Sequence, residues 1–375
     1  MKVALMTIFQ VPNYGSVLQA FATQAVLEKL GYECDVINYN YPNDWHYRHG
    51  FARPSALKLR VKNALGMLGI HFNKFKAGIE NFRKSRLNLT RLYKDLDELT
   101  AEDWSGYGAM VTGSDQVWNP RFLKGDSAFM LSFGKDVKRM SIASSFACDS
   151  LPSELIQKYK SFLGSYSAVS VREGSGLRIL HDQLGLDCPS CVMLDPTLLL
   201  SADEWTSELK LREKSDCGKY VLLYILDYAF DPRPRILDVA AKMKERYACD
   251  TIITFSEKDS PEVRELGAVS VEVRSVDEFV SYLKNATVVV TSSFHGTAFA
   301  LNYSRPLISV CPQKSDERQQ GLLNELGIPS NGVVAASPIE SIDTLDADYD
   351  TFKVQMALSA RRQKHFEWIR ASIEA

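Results

Sequence analysis

Residues 287–303 read TVVVTSSFHGTAFALNY, and this stretch decides the fold class. Its opening, 287–291, is a run of β-branched residues, the composition of a strand in a buried sheet. Small polar residues follow at Ser292 and Ser293, and helical character resumes over 297–303. A strand that passes through a short polar turn straight into a helix is one βα unit.

The same succession recurs along the chain. Strands are expected at 3–9, 34–39, 108–112, 139–144, 168–172 and 191–194, and again at 220–226, 251–255, 269–273, 287–291 and 307–310. Helices are expected between them: one face at Val17, Leu18, Phe21, Ala22 and Ala25 that stops at Gly31, then 153–163, 176–184, 235–246, 276–285 and 319–326. Strand–helix alternation of this kind specifies an α/β fold with parallel sheets. A chain of 375 residues is long enough for about two domains. The charged stretch 201–218 has no apolar period and separates the two series. The expected organisation is therefore an N-terminal α/β domain over 1–200, a linker at 201–218, a second α/β domain over 219–345 and a closing helix at 346–375. The expected architecture is two doubly wound, Rossmann-like domains facing across a cleft, with ligands outside the carboxyl ends of the strands.

Composition excludes several classes. Apolar residues make up 45% and charged residues 24%, which fits a globular chain and not a disordered or fibrous one. A formal net charge of −2 gives no bulk signal for nucleic acid. Seven cysteines, an odd count at irregular spacing, point to a reducing compartment, and a cytoplasmic location is expected. No run approaches the ~18 apolar residues of a membrane span. Neither G-x-G-x-x-G nor a P-loop occurs, which argues against a standard dinucleotide cofactor or NTPase chemistry. Cys188 and Cys191 form a C-x-x-C pair without a second pair or a matching His, so two packed thiols are expected there and not a zinc site.

The strand-end rule selects the candidate functional residues. Asn13-Tyr14-Gly15-Ser16 follows the first strand, Gly113-Ser114-Asp115-Gln116 follows Val111, and Arg172-Glu173 ends 168–172. In 292–297, a Gly and a hydroxyl at a helix start leave backbone N–H groups for an anion, and His295 is placed to exchange a proton with what that anion site holds. The structural alternative for His295 is a strand-end side chain bonded to a carbonyl. For Arg172 it is an interdomain ion pair with an Asp, and for Asn13, Ser114, Asp115 and Gln116 it is loop capping.

Taken in order, Asn13-Tyr14-Gly15-Ser16-Val17-Leu18-Gln19-Ala20, Gly113 to Asn119, Val171-Arg172-Glu173 with Ser175-Gly176, Asp195-Pro196-Thr197 and Ser293 to Ala298 resemble the polysaccharide pyruvyl transferase family over about residues 1–330. That resemblance implies a fold like the two-domain GT-B glycosyltransferases. It also implies transfer of a pyruvyl group from phosphoenolpyruvate to two hydroxyls of a saccharide, as a ketal with phosphate release, in cell-surface polysaccharide assembly. In that reading His295 is the acid/base and Arg172 the anionic anchor. Ser293, Gly296 and Thr297 hold the donor. Asn13, Tyr14, Ser114, Asp115 and Gln116 hold the acceptor sugar, free or lipid-linked. No cofactor and no metal is called for. The rival readings are a sugar-nucleotide glycosyltransferase of the same architecture and a non-catalytic carbohydrate-binding relative.

One segment stands apart in charge. Residues 45–94 carry twelve Lys or Arg against Glu80 alone, a net +11 that leaves −13 on the rest of a chain totalling −2. Leu57, Val61, Ala64, Leu65 and Leu68 fall at helical spacing beside Lys58, Arg60 and Lys62. A basic amphipathic helix at 54–70 suits an anionic membrane surface, where each cation contributes ~1 kcal/mol, and would place the protein at the inner membrane face. The alternative is a helix packed on its own domain with a solvated basic face.

Overall fold

The computed structural model describes residues 1–40, 74–211, 218–255, 261–338 and 342–375. These divide into two compact units, Met1–Pro196 with His365–Ala375, and Thr197–Lys364. The basic amphipathic stretch 54–70 lies outside the described residues.

The first unit is built on a seven-stranded sheet: β1 (Lys2–Met6), β2 (Glu33–Tyr39), β3 (Leu89–Tyr93), β4 (Ala109–Thr112), β5 (Lys138–Ser144), β6 (Ala168–Val171) and β7 (Ser190–Val192). Every pairing is parallel and the order is β3-β2-β1-β4-β5-β6-β7. The second unit carries β8 (Tyr220–Tyr224), β9 (Thr251–Thr254), β10 (Val269–Ser270), β11 (Val288–Thr291), β12 (Leu307–Cys311) and β13 (Gly332–Val334), again parallel, in the order β10-β9-β8-β11-β12-β13. Both sheets are doubly wound. The order reverses between β1 and β4 in the first unit and between β8 and β11 in the second, and these switch points are where such sheets accept ligands.

Burial explains why the central strands were legible and some edges were not. β4, β8, β11 and β12 are buried along their whole length, so each reads as a mainly apolar run, broken only by the buried hydroxyls of Thr112, Thr291 and Ser309. β3 exposes the consecutive Arg91 and Leu92, and β13 has three residues; neither carries such a run, and neither was expected. Only Val269 and Ser270 of the expected 269–273 pair.

The helix Tyr14–Lys29 is capped by Asn13 and followed by Gly31 in the left-handed region (φ +94°). It is buried on nearly all sides, more than a one-faced helix needs. The helix Lys74–Arg86 covers it, with Phe21 against Phe82 at 5.6 Å and Tyr14 against Phe75 at 4.9 Å. The last residues of the closing helix Thr351–Glu374 return to the first unit, where Lys29 lies over the Phe366 ring and Tyr32 donates to Glu374 at 3.0 Å.

The unit boundary differs from the expected linker at 201–218. Ser201 and Glu204 form a reciprocal capping box on the helix Ala202–Glu208. Trp205 of that helix is fully buried, donating its indole N–H to the Thr197 carbonyl and packing on Phe299 at 5.1 Å. The S-x-x-E pattern was the available signal for this helix. The second unit therefore begins at Thr197.

Candidate functional site

In the first unit, the switch point is closed by polar side chains. Asn13 Oδ1 accepts the N–H groups of Gly15 (2.8 Å) and Ser16 (3.3 Å), so its oxygen is occupied as a helix cap. Ser16 Oγ donates to Asp115 Oδ2 at 2.7 Å, linking the loop after β1 to the loop after β4. Asp115 is only half-buried and adopts φ +70°, a conformation that few residues other than Gly, Asn and Asp tolerate. That conformation is held from both sides: Asp115 Oδ1 accepts Gln116 N–H and its carbonyl accepts Ser145 N–H. Gln116 is buried and accepts Asn119 Nδ2 at 2.6 Å.

Beneath this surface lies a buried ionic cluster at the ends of β4 to β7. Arg172 donates Nε to Glu173 Oε1 and Nη1 to Asp195 Oδ2, both at 3.0 Å, and its side chain is 2% exposed. Ser114 Oγ donates to the same Asp195 oxygen at 2.9 Å, and Ser145 Oγ to Glu173 Oε1 at 2.9 Å. Burial alone would depress the guanidinium pKa, but the Glu173, Asp195 and Asp115 carboxylates outweigh it and hold the pKa above its ordinary value. One cation among three carboxylates leaves this region acidic.

In the second unit, Ser292 Oγ donates to the Leu226 carbonyl and accepts Leu226 N–H, at 2.9 and 2.8 Å, joining the loops after β8 and β11 across the switch point. Ser293 caps the helix Phe294–Asn302, its Oγ accepting Gly296 N–H. His295 occupies the first turn of that helix, 8% exposed, with its ring set edge-on to Phe294 at 5.3 Å. Thr297 Oγ1 donates to the Ser293 carbonyl and shares a 2.8 Å hydrogen bond with Ser309 Oγ on β12. A Cβ on Gly296 would lie 2.5 Å from Thr291 Oγ1, so this glycine lets the helix approach the end of its own strand. Gly176 stands in the same relation to Val171 at the end of β6, where a Cβ would lie 2.8 Å from Val171 Cβ.

A family model for polysaccharide pyruvyl transferases matches residues 13–311, from the Asn13 cap to the last residue of β12. The chain belongs to the polysaccharide pyruvyl transferase family. The matched span contains the second unit's switch point, the loop after β4 and the whole ionic cluster. No curated protein sequence matches the chain. Among solved structures, UDP-GlcNAc 2-epimerase from Neisseria meningitidis bound to UDP-GlcNAc is 11% identical, with 99% of this chain and 100% of that one covered at a TM-score of 0.56. UDP-N-acetylglucosamine 2-epimerase from Rickettsia bellii is 13% identical, covering 100% and 97%, with a TM-score of 0.49. At 11% identity the likeness to the Neisseria enzyme is one of fold, and that fold is GT-B-like.

Against this family background several expectations change. Arg172 does not present an open fork to an anion, because Nε and Nη1 are already given to carboxylates; it pairs with an Asp as the alternative expected, but the partner Asp195 belongs to the same unit and not to the other domain. Ser114 is fully buried on Asp195 and does not offer its hydroxyl to a sugar. Gly296 and Thr297 do not offer free N–H groups, since these go to Ser293 Oγ and the Ser293 carbonyl. Tyr14 is buried against Phe75, and Asn13 and Gln116 serve as the capping reading expected. Glu173, Asp195, Ser16 and Ser145 had no expected role; the first three lay inside the quoted motifs, but only the fold brings them together. Among the described residues no group of three or more His, Cys, Asp or Glu is placed to hold a metal, and no disulfide joins Cys188 and Cys191. No helix among them is long and apolar enough to cross a membrane.

Proposed function

We propose that the protein transfers the pyruvyl group of phosphoenolpyruvate to a hydroxyl pair of a saccharide, forming a pyruvate ketal and releasing phosphate. The observation that carries this reading is the family match across the loop after β4 and the second unit's switch point, with His295 buried in a capped helix turn at the latter.

The chemistry needs few protein groups. The donor's methylene carbon takes a proton and becomes the methyl, which leaves positive charge at C2. A sugar hydroxyl adds there and loses its proton, the C2–O bond to phosphate breaks with its electron pair leaving on phosphate, and a second hydroxyl closes the ketal. One group must move protons, and His295 is assigned that role. Ser293 fixes the turn that carries it. Asp115, the most accessible carboxylate of the first unit's switch point, suits hydrogen bonds from sugar hydroxyls, and the acidic cluster behind it disfavours a multiply charged anion there. The first unit is accordingly assigned the acceptor and the second the donor.

The test is a phosphate-release screen with phosphoenolpyruvate and a panel of free and lipid-linked glycans. Release that requires one particular acceptor supports the proposal. Turnover of a nucleotide sugar in its place would assign the protein to glycosyl transfer.

A further inference from the structure

With Arg172 held by Glu173 and Asp195, the donor's negative charge needs a cation elsewhere, and the second unit supplies a candidate. Three arginines stand on described loops that follow its strands. Arg233, after β8, is ion-paired with Asp227 and Asp231, both at 2.7 Å. Arg274, after β10, is paired with Glu272 at 3.3 Å. Arg318, after β12, differs: among the described residues its guanidinium has no hydrogen bond and no ion pair, and its Nε is buried without a partner. The residue as a whole is only half-buried, so the rest of the fork remains within reach of solvent. The nearby Asp316 carboxylate is turned to the Arg318 backbone N–H at 2.9 Å. A buried donor without an acceptor in a native fold calls for an explanation, and a ligand supplied from outside is one.

Position strengthens the case. β11 and β12 are adjacent and parallel, with Thr291 opposite Ser309. Ser309 Oγ is bonded on one side to Thr297, two residues after His295, and on the other to Gln319 Nε2 at 2.8 Å, the residue after Arg318. The Arg318 backbone is thus tied through Gln319, Ser309 and Thr297 to the helix turn that carries His295. Gln319, Ser309, Thr297 and His295 are all buried. The span matched to the family ends at residue 311, before Arg318.

We propose that Arg318 anchors the anionic end of the donor, its planar fork binding the phosphate or the carboxylate of phosphoenolpyruvate. This inference rests on the function proposed above. It assigns the anchor to the second unit and makes Arg172 a structural residue.

The test uses the full chain with two probes, phosphoenolpyruvate and inorganic phosphate, in calorimetric titrations of wild type, Arg318→Gln and Arg318→Lys. The expected result is at least a tenfold weaker phosphoenolpyruvate affinity in Arg318→Gln and a partial recovery in Arg318→Lys. The unfolding midpoint should stay unchanged, because the side chain holds no other residue. Wild-type affinity in a folded Arg318→Gln would overturn the inference and leave pyruvyl transfer standing. Arg318-dependent phosphate binding with no phosphoenolpyruvate binding by wild type would support the anion site and overturn the donor. Wild type binding neither probe would overturn both.

Discussion

Arg172 and Asp195 meet at 3.0 Å with side chains 2% and 0% exposed, and the Asp195 oxygen that accepts the guanidinium also accepts Ser114. The pair ties the end of β6 to the loop after β7 and, through Ser114, to the loop after β4. Removing one partner of a buried ion pair strands the other, at about 3–5 kcal/mol. Arg172→Ala should therefore lower the unfolding free energy by about that amount in urea titrations, while the folded protein binds phosphoenolpyruvate nearly as wild type does. A stable Arg172→Ala variant with lost donor affinity would return Arg172 to the role of anchor.

Gly296→Ala tests the close approach of helix and strand in the second unit. The added methyl would press on Thr291, whose Oγ1 also accepts Ser293 N–H, so relief requires the turn to move. Overpacking of this kind costs about 1–3 kcal/mol. The expected outcome is that loss of stability together with a fall in turnover, because His295 precedes Gly296. An unchanged melting temperature and rate would show that the contact relaxes freely.

These two sites show how far residue patterns carried the reading. The fold class was legible because β4, β8, β11 and β12 are buried along their whole length and are therefore mainly apolar. The positions of His295 and Asp115 just past the ends of β11 and β4 were legible because a run of apolar residues marks where each strand stops. The ion pairing of Arg172 was not, because an arginine after a strand looks alike whether its fork is open or filled. Glu173 is its neighbour, but Asp195 lies twenty-three positions away and only the pairing of β6 with β7 brings it close. The N–H groups of Gly296 and Thr297 were misread for a related reason: Ser293, three and four residues before them, satisfies them locally.

Cys311 offers a pH-dependent prediction. Burial pushes its thiol up to about 12, above the unfolded value near 9. Above pH 9 the unfolded chain releases this proton and the folded chain keeps it, so folding stability is full below pH 9 and falls as pH rises toward 12. The melting temperature should drop over that range, and the drop should be smaller in Cys311→Ala. Equal pH profiles for the two proteins would contradict it.

The basic stretch 45–94 yields a prediction that rests on charge and spacing alone. If 54–70 docks on a membrane, binding to anionic liposomes should be strong at low ionic strength and fade as salt shortens the Debye length to ~8 Å. Replacing Leu57, Val61 and Leu68 by Ser should weaken it further. Absence of binding at low salt would leave the solvated basic face as the account of this segment.

The most direct test of pyruvyl transfer is turnover in D2O with phosphoenolpyruvate and the acceptor found by screening, followed by mass spectrometry and NMR of the glycan. Protonation of the methylene carbon must place deuterium in the ketal methyl, with one phosphate released per ketal. His295→Ala should bind the donor but form no labelled product. A glycan returned unmodified, a product whose methyl carries no deuterium, or a His295→Ala variant that turns over like wild type would contradict the mechanism.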